Sequence, residues 1–488
     1  MCKSNTAGIN RPAGKAGTAR ETERHTHSHA EFRVQAVTIA STMFSCGSVP
    51  QFQQVTCYTG QGRGRQTAEN EKARIKQPGK DFLCPPALED LLTQHWKDLQ
   101  DGFSCKLGLN QILEFQSDEL RWTAEKRGLW TLEYKRELTS PLCIAAAQGY
   151  TDCLHYLLQH GAHPNLTAGG RAALHEACIN SNADCTELLL QHGANPNQLT
   201  EDGFSALHLC KTPHSIRCAN ALMRYGAKVN LHSEEEEEET PLHVAAKHGL
   251  FQHAQLYLRY GAQVNCQSCN GETPLGAACN EAQDKDDDDQ QEGFLKLCTL
   301  LLDYGADVNV VDREQRSPLH KAARNVQHDL VKLLLERGAV INVLDYNGCS
   351  PLSNVLQSAV VRQERQPHRV VQMLLNWGSI QVWPQALMKV LVACAAAPKS
   401  VEIMFNSYSM VPVTYKWERA IPEEIFQKHQ LFYESLFALE HRPRSLQHLC
   451  RSVLRKQFGK HCHILLPKLP IPQALKNYML LEPEGIIY

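Results

Sequence analysis

The chain has 488 residues, of which 43% are hydrophobic and 21% are charged, so most of it can bury a core. Its formal net charge of −2 argues against nucleic acid or an anionic membrane as the main partner. The longest apolar stretches, such as residues 390–398, fall far short of the roughly 20 residues that span a bilayer.

The first part of the chain precedes any repeat. Residues 1–80 are polar and rich in Gly, Thr, Gln, Arg and His, without a sustained apolar period, which predicts disorder. Residues 87–99 and the stretch near 107–120 have a helical apolar spacing, and GLWTLEYKREL then leads into the repeats. We therefore predict a helical N-terminal extension over 81–138. Whether it is a separate cap or a degenerate repeat stays open.

Residues 139–385 contain an internal repeat with a period near 33 residues. Its marker leucine recurs at intervals of 32, 33, 35, 33, 44 and 33 residues, at Leu142, Leu174, Leu207, Leu242, Leu275, Leu319 and Leu352. Six units end in a tail similar to L-L-x-x-G-A-x-x-N, whose last residues are Asn165, Asn197, Asn230, Asn265, Asn309 and Asn342. This pattern resembles the ankyrin repeat in about seven copies. The resemblance implies an all-α dominated repeat solenoid, because one unit cannot bury its apolar face alone.

The recurring residues have local structural roles. A Pro after Thr or Ser begins the first helix, since its missing N–H would be unpaired in the first turn anyway. The glycines of the tails are expected to end the second helix in a left-handed conformation. They are Gly161, Gly193, Gly226, Gly261, Gly305 and Gly338.

Two acidic insertions interrupt the period. Residues 234–239 are six consecutive glutamates in the hairpin before the fourth repeat, and residues 284–289 read DKDDDD between the helices of the fifth. One interpretation is that the repeats hold a basic substrate surface. The other, which we favour, is that both runs are solvated loops without a partner.

Beyond residue 385 the period stops. Residues 386–441 have helical apolar spacing in two stretches separated by Pro-containing turns, which predicts a helical connector. Residues 442–488 form a different module, which begins with a helical pattern and contains the sequence LPIP further on.

The helical pattern of this module carries an apolar stripe. Leu446, Cys450 and Leu454 recur at i, i+4 and i+8 on one face, and Leu449 and Val453 widen that face. Ser445 precedes the helix in the position of an N-cap. Such a short helix has more apolar surface than its own module can bury, so a partner groove that accepts a helix is expected.

The module resembles a SOCS box. Its first part fits the pattern S-L-x-x-x-C-x-x-x-L, and its second part fits L-P-x-P, at Leu469, Pro470, Ile471 and Pro472. Ankyrin repeats followed by this box are typical of the ankyrin-repeat and SOCS-box family.

The resemblance implies a non-catalytic adaptor of a ubiquitin ligase. Elongin C, with elongin B behind it, would bind Ser445, Leu446, Leu449, Cys450, Val453 and Leu454. The LPIP residues would favour cullin-5 and its RING partner, and the repeats would hold an unidentified protein substrate.

Enzyme and metal hypotheses have little support. The chain lacks the G-x-x-x-x-G-K-S/T and G-x-S-x-G motifs, and has no G-x-G-x-x-G after a strand. The C-x-x-C at Cys266 and the H-C-H at His461 lack a second ligand pair, so no metal or cofactor is expected. His175, His208, His243 and His320 are interpreted as structural residues that bond backbone groups of adjoining hairpins.

Two classes of function remain after these exclusions. The first is the ligase adaptor, and the second is an ankyrin scaffold that binds partners without ubiquitin transfer, its C-terminal segment merely capping the array. The scaffold hypothesis predicts that the function of the chain does not depend on Leu446 or Cys450.

The 19 scattered cysteines fit a reducing compartment. The expected location is the cytoplasm, with a nuclear pool as an open alternative.

Overall fold

The computed structural model describes residues 56–58, 109–126, 129–234, 237–282 and 288–487. All of them belong to one compact unit. Within these ranges no helix combines the length and apolar character that a bilayer crossing needs. The disorder predicted for 1–80 falls outside the described residues, except for the short strand at 56–58.

A long β-hairpin precedes the repeats. Strands β1 Thr56–Tyr58, β2 Ile112–Lys126 and β3 Leu129–Thr139 form an antiparallel sheet in that order. The helix predicted over 81–138 is therefore wrong for the strand residues, while 81–108 lies outside the described part. Apolar and polar residues alternate from Trp130 to Lys135, and this period of two indicates a strand.

The repeats are stacked helix–turn–helix units, which confirms the all-α dominated fold. The helix pairs are α1 Pro141–Gln148 and α2 Thr151–Gln159, α3 Ala173–Ile179 and α4 Ala183–Gln191, α6 Pro241–Lys247 and α7 Phe251–Arg259, α8 Pro274–Glu281 and α9 Asp288–Asp303, α10 Pro318–Arg324 and α11 His328–Glu336, and α12 Pro351–Ser358 and α13 Pro367–Asn376. The third unit has only its second helix, α5 Ile216–Arg224, and forms turns in place of the first. Pro213 disfavours the helical conformation at the residue before it and so prevents a full first helix. A two-stranded ladder, β4 Thr167–Ala168 and β5 Arg171–Ala172, leads into the second unit.

The first helices of five units begin at a proline, as predicted, and side chains cap several of them. Ser140, Thr273 and Ser350 each accept a hydrogen bond at the side-chain oxygen from the backbone N–H three residues later. The six tail glycines have φ between 83° and 95°, the left-handed region, which confirms the prediction for the end of each second helix.

An asparagine ladder joins successive units. Asn165 accepts from the backbone N–H of Asn195 at 2.7 Å and donates to the carbonyl of Gly193 at 3.2 Å. The same pair of bonds recurs at Asn197, Asn230, Asn265, Asn309 and Asn342. Asn110 makes the same pair of bonds. Its Oδ1 accepts from the N–H of His163 at 2.8 Å, and its Nδ2 donates to the carbonyl of Gly161 at 3.5 Å. Residues 109–110 thus occupy the place of a repeat tail, and β2–β3 is the enlarged hairpin of a degenerate repeat.

Residues 386–441 extend the stack. Their helices are α14 Leu387–Ala393, α15 Pro398–Asn406, α16 Tyr415–Glu418, α17 Glu423–Lys428 and α18 Gln430–Phe437. Helix α15 packs against α13, and Leu391 and Phe405 belong to the same hydrophobic core as the repeats. The segment predicted to be a connector therefore adds a further helical layer, and the C-terminal module lies against it.

Candidate functional site

The C-terminal module has three helices, α19 Leu446–Phe458, α20 Cys462–Leu465 and α21 Gln473–Met479. Ser445 caps α19 as predicted, since its Oγ accepts from the N–H of His448 at 3.2 Å. The module's own core consists of Cys462, Leu466 and Met479, with a few half-buried neighbours. So small a core stabilises little by itself, and the module depends on its contacts with the repeat array.

Helix α19 turns its apolar stripe to solvent. Leu446 is 77% exposed and Val453 66%, while Leu449 and Leu454 are 42% and 44% exposed. Cys450, between them, is exposed as well. The structure therefore brings the predicted stripe residues together on one open helical face. The opposite face, which meets the array, is polar, with His448 and Arg451 almost fully buried.

Arginines fasten this buried polar face to the ends of array helices. Arg455 donates to the carbonyl of Leu375 at 3.3 Å and to Oδ1 of Asn376 at 2.6 Å, where α13 ends. Arg444 donates to the carbonyl of Phe405 at 3.1 Å, where α15 ends. Carbonyl groups at helix C-termini lack partners within the helix and carry partial negative charge, which favours a guanidinium group there.

A buried histidine links the same face to the array. His448 donates from Nε2 to the carbonyl of Tyr408 at 2.7 Å and accepts at Nδ1 from Arg451 at 2.9 Å. Burial, with Arg444 nearby, lowers the pKa of His448 to about 4. The ring is therefore neutral at pH 7 and can accept the arginine's hydrogen bond. The guanidinium of Arg451 also lies 4.0 Å from the ring centroid of Tyr478, in α21.

The LPIP residues follow a short 3-10 turn at Leu466–Lys468. Leu469 packs against the small core of the module, and the N–H of Ile471 donates to its carbonyl at 2.9 Å. Pro470 and Pro472 are exposed, and Pro472 directly precedes α21. Contacts with the module thus hold the loop in place, and its two prolines are exposed to solvent. The loop is not part of the stripe of α19.

The four histidines of the T-P-L-H pattern are structural, as predicted. His243 accepts at Nδ1 from the N–H of Thr240 at 3.2 Å and donates from Nε2 to the carbonyl of Glu272, in the next hairpin, at 3.0 Å. His175, His208 and His320 repeat both bonds. No group of three or more metal-ligating side chains occurs in the described ranges, and the Sγ of Cys266 lies 3.6 Å from Nε2 of His232.

Some residues of the acidic run at 234–239 make contacts within the protein. Lys247, in α6, pairs with Glu237 at 2.8 Å and with Glu239 at 2.6 Å. Glu239 is buried, and its carbonyl accepts from His208. The interpretation as a solvated loop is therefore wrong for Glu239. The second run is described only from residue 288, where α9 begins, so most of it lies outside the described residues.

Comparison with known proteins shows which family models and relatives the chain matches. The model for ankyrin repeats matches three times, at residues 142–233, 207–286 and 290–383, and the SOCS box model matches residues 442–480. Ankyrin repeat and SOCS box protein 18 of Homo sapiens is 48% identical over 85% of this chain and 88% of its own length. Human proteins 16 and 10 of the same series are 38% and 43% identical, over 88% and 76% of this chain and 92% and 79% of their own lengths.

These matches cover both the repeats and the C-terminal module. A SOCS box in general associates with elongins B and C and cullin-5, and its carriers generally act as non-catalytic substrate-recognition adaptors of a ubiquitin ligase. The repeat register, the exposed stripe and the relatives agree on one assignment. The chain belongs to the ankyrin repeat and SOCS box family.

Proposed function

We propose that this chain is a substrate-recognition subunit of a cytoplasmic E3 ubiquitin ligase. The stripe of α19 would bind a groove on elongin C, with elongin B behind it, and the LPIP loop would bind cullin-5 and thereby its RING partner. The observation that carries the proposal is the exposed apolar stripe, because an amphipathic helix with an open apolar face fits a hydrophobic groove of a partner.

The chain's contribution to ubiquitin transfer would be positional. Its repeats would hold a protein substrate, and the ligase would bring the charged E2 enzyme close to it, which is the proximity effect of catalysis. The arginine contacts support this role. They fix α19 to the ends of α13 and α15, so a partner on the stripe would have a defined orientation relative to the repeats.

The scaffold alternative makes a different structural prediction. A C-terminal segment that only caps the array would turn its apolar face toward the array, because burial of apolar surface drives packing. In α19 the buried side chains are His448 and Arg451, and Leu446 and Val453 point to solvent. This orientation favours the adaptor over the scaffold.

Replacing Pro470, Ile471 and Pro472 with alanine should separate the two partners, while Leu469 is kept because it packs against the core of the module. We expect the variant to keep its affinity for the elongin B–C complex, because the stripe is untouched, and to lose at least tenfold in affinity for cullin-5. Titration of the preformed ternary complex with purified cullin-5 and its RING partner measures this. Equal cullin-5 binding by parent and variant would contradict the assignment of the loop.

Cys450 offers a second test, since it is exposed, whereas Cys462 of the same module is buried. We expect N-ethylmaleimide to modify it at least tenfold faster than buried Cys462, and bound elongin B–C to slow the modification at least tenfold. Mass spectrometry of the peptide that contains Cys450 gives both rates. Cys266, half-buried in a hairpin, is the control whose rate the elongins should not change.

A further inference from the structure

Three exposed apolar side chains lie outside the C-terminal module but beside it. Ile380, Trp383 and Met410, here called the flanking patch, are 69%, 73% and 76% exposed. None of them belongs to the motif of the SOCS box, which begins at residue 442. Large apolar residues so close together and so exposed are typical of a protein–protein contact.

Hydrogen bonds hold the two segments of the flanking patch together. Gln381 donates from Nε2 to the carbonyl of Ser407 at 2.6 Å, and the hydroxyl of Tyr408 donates to the carbonyl of Val382. Residues 380–383 therefore run beside residues 407–410. Trp383 and Met410 each lie within two residues of one of these bonds.

Two further contacts place these segments along α19. Near the beginning of the helix, His448 donates to the carbonyl of Tyr408. Beyond its end, Gly378 approaches Lys460 so closely that a Cβ on Gly378 would lie 2.7 Å from the Cβ of Lys460. The segments therefore run along the side of α19 on which His448 lies, and the edge of the stripe at Leu449 is about 100° further around the helix.

We propose that the flanking patch extends the elongin C contact from the stripe of α19 onto the repeat array. This inference rests on the function proposed for the stripe. Stable interfaces bury about 800 Å² on each partner, and five side chains of one helix cover only part of that area. The flanking patch lies on segments that run along the same helix and supplies a tryptophan, a residue that often dominates the binding energy of an interface.

The consequence concerns geometry as well as affinity. Elongin C bound to the stripe alone could tilt about one helix. Contact with the flanking patch adds a second, fixed point on the layer formed by α14 and α15. The array and its substrate would then hold one orientation relative to the rest of the ligase, which is what a positioning role requires.

The test compares elongin B–C binding by full-length variants in titration calorimetry. The double variant Trp383→Ala, Met410→Ala should raise the Kd five- to twentyfold, and thermal unfolding should stay unchanged because both side chains are exposed. The matched control is Tyr346→Ala, which removes an aromatic side chain that is 83% exposed on a repeat hairpin. It should leave the Kd unchanged.

The possible results separate this inference from the proposed function. If a charged substitution of Leu446 abolishes binding while the double variant stays within twofold of the parent, the flanking patch is not an elongin contact and the inference fails alone. If the double variant keeps its elongin affinity but loses affinity for cullin-5, the assignment to elongin C is also overturned. If neither variant changes elongin binding, the proposed function fails as well.

Discussion

Leu446→Asp is expected to raise the Kd for the elongin B–C complex at least 100-fold. The leucine would anchor the stripe in an apolar groove, and its burial is worth about 2 kcal/mol. A carboxylate in the same groove would lose its hydration without a partner, at a further cost of several kcal/mol. The substitution should not harm folding, because the side chain is 77% exposed and Asp in the first turn of a helix interacts favourably with its dipole.

The chain offers a closely matched control for this variant. Leu431 is also 77% exposed and also lies in the first turn of a helix, α18. Leu431→Asp makes the same chemical change outside the SOCS box, and its elongin affinity should equal that of the parent in titration calorimetry. If Leu446→Asp bound within threefold of the parent, the stripe would not be the elongin contact. The ankyrin scaffold without ubiquitin transfer would then be the better description.

The orientation of α19 shows what the sequence could and could not predict. The stripe and its Ser445 cap were predictable, because both depend on residues a few positions apart. Whether the stripe faces solvent or the array depends on contacts that are distant in sequence, such as Arg455 with Asn376, which are 79 residues apart. A signal was nevertheless present: His448, Arg451 and Arg455 repeat at i, i+3 and i+7 opposite the stripe.

The segment before the repeats was predicted less well, for a related reason. Its helical spacing near residues 107–120 was a local signal that pairing of β2 with β3 overrides, and pairing is a tertiary contact. The role of Asn110 depends on its register with the first complete repeat. Asn110 follows a glycine by two residues, not by the four of a repeat tail, and the enlarged hairpin moves it 32 residues before Leu142, so the period is hidden.

Acidification is expected to lower the free energy of unfolding by a large amount. Burial lowers the pKa of His208, His243, His253 and His448 to about 4. In the unfolded chain these groups titrate near 6.5, so below that pH the unfolded state binds more protons and stability falls as pH falls. At pH 5.5 each contributes a loss of about 1 kcal/mol. Glu402, whose pKa burial raises to about 7, acts in the opposite direction and offsets part of the loss.

The net loss between pH 7.5 and 5.5 should be about 3 kcal/mol, a large share of the 5–15 kcal/mol that stabilises a typical domain. The bonds of His243 explain it: its Nδ1 accepts from a backbone N–H, and a proton there would remove the acceptor. Urea unfolding at several pH values measures the loss. His243→Gln should flatten the pH dependence by about 1 kcal/mol, whereas His441→Gln, at a side chain that is 83% exposed, should not change it. Constant stability from pH 7.5 to 5.5 would mean that these rings accept protons without loss of the fold.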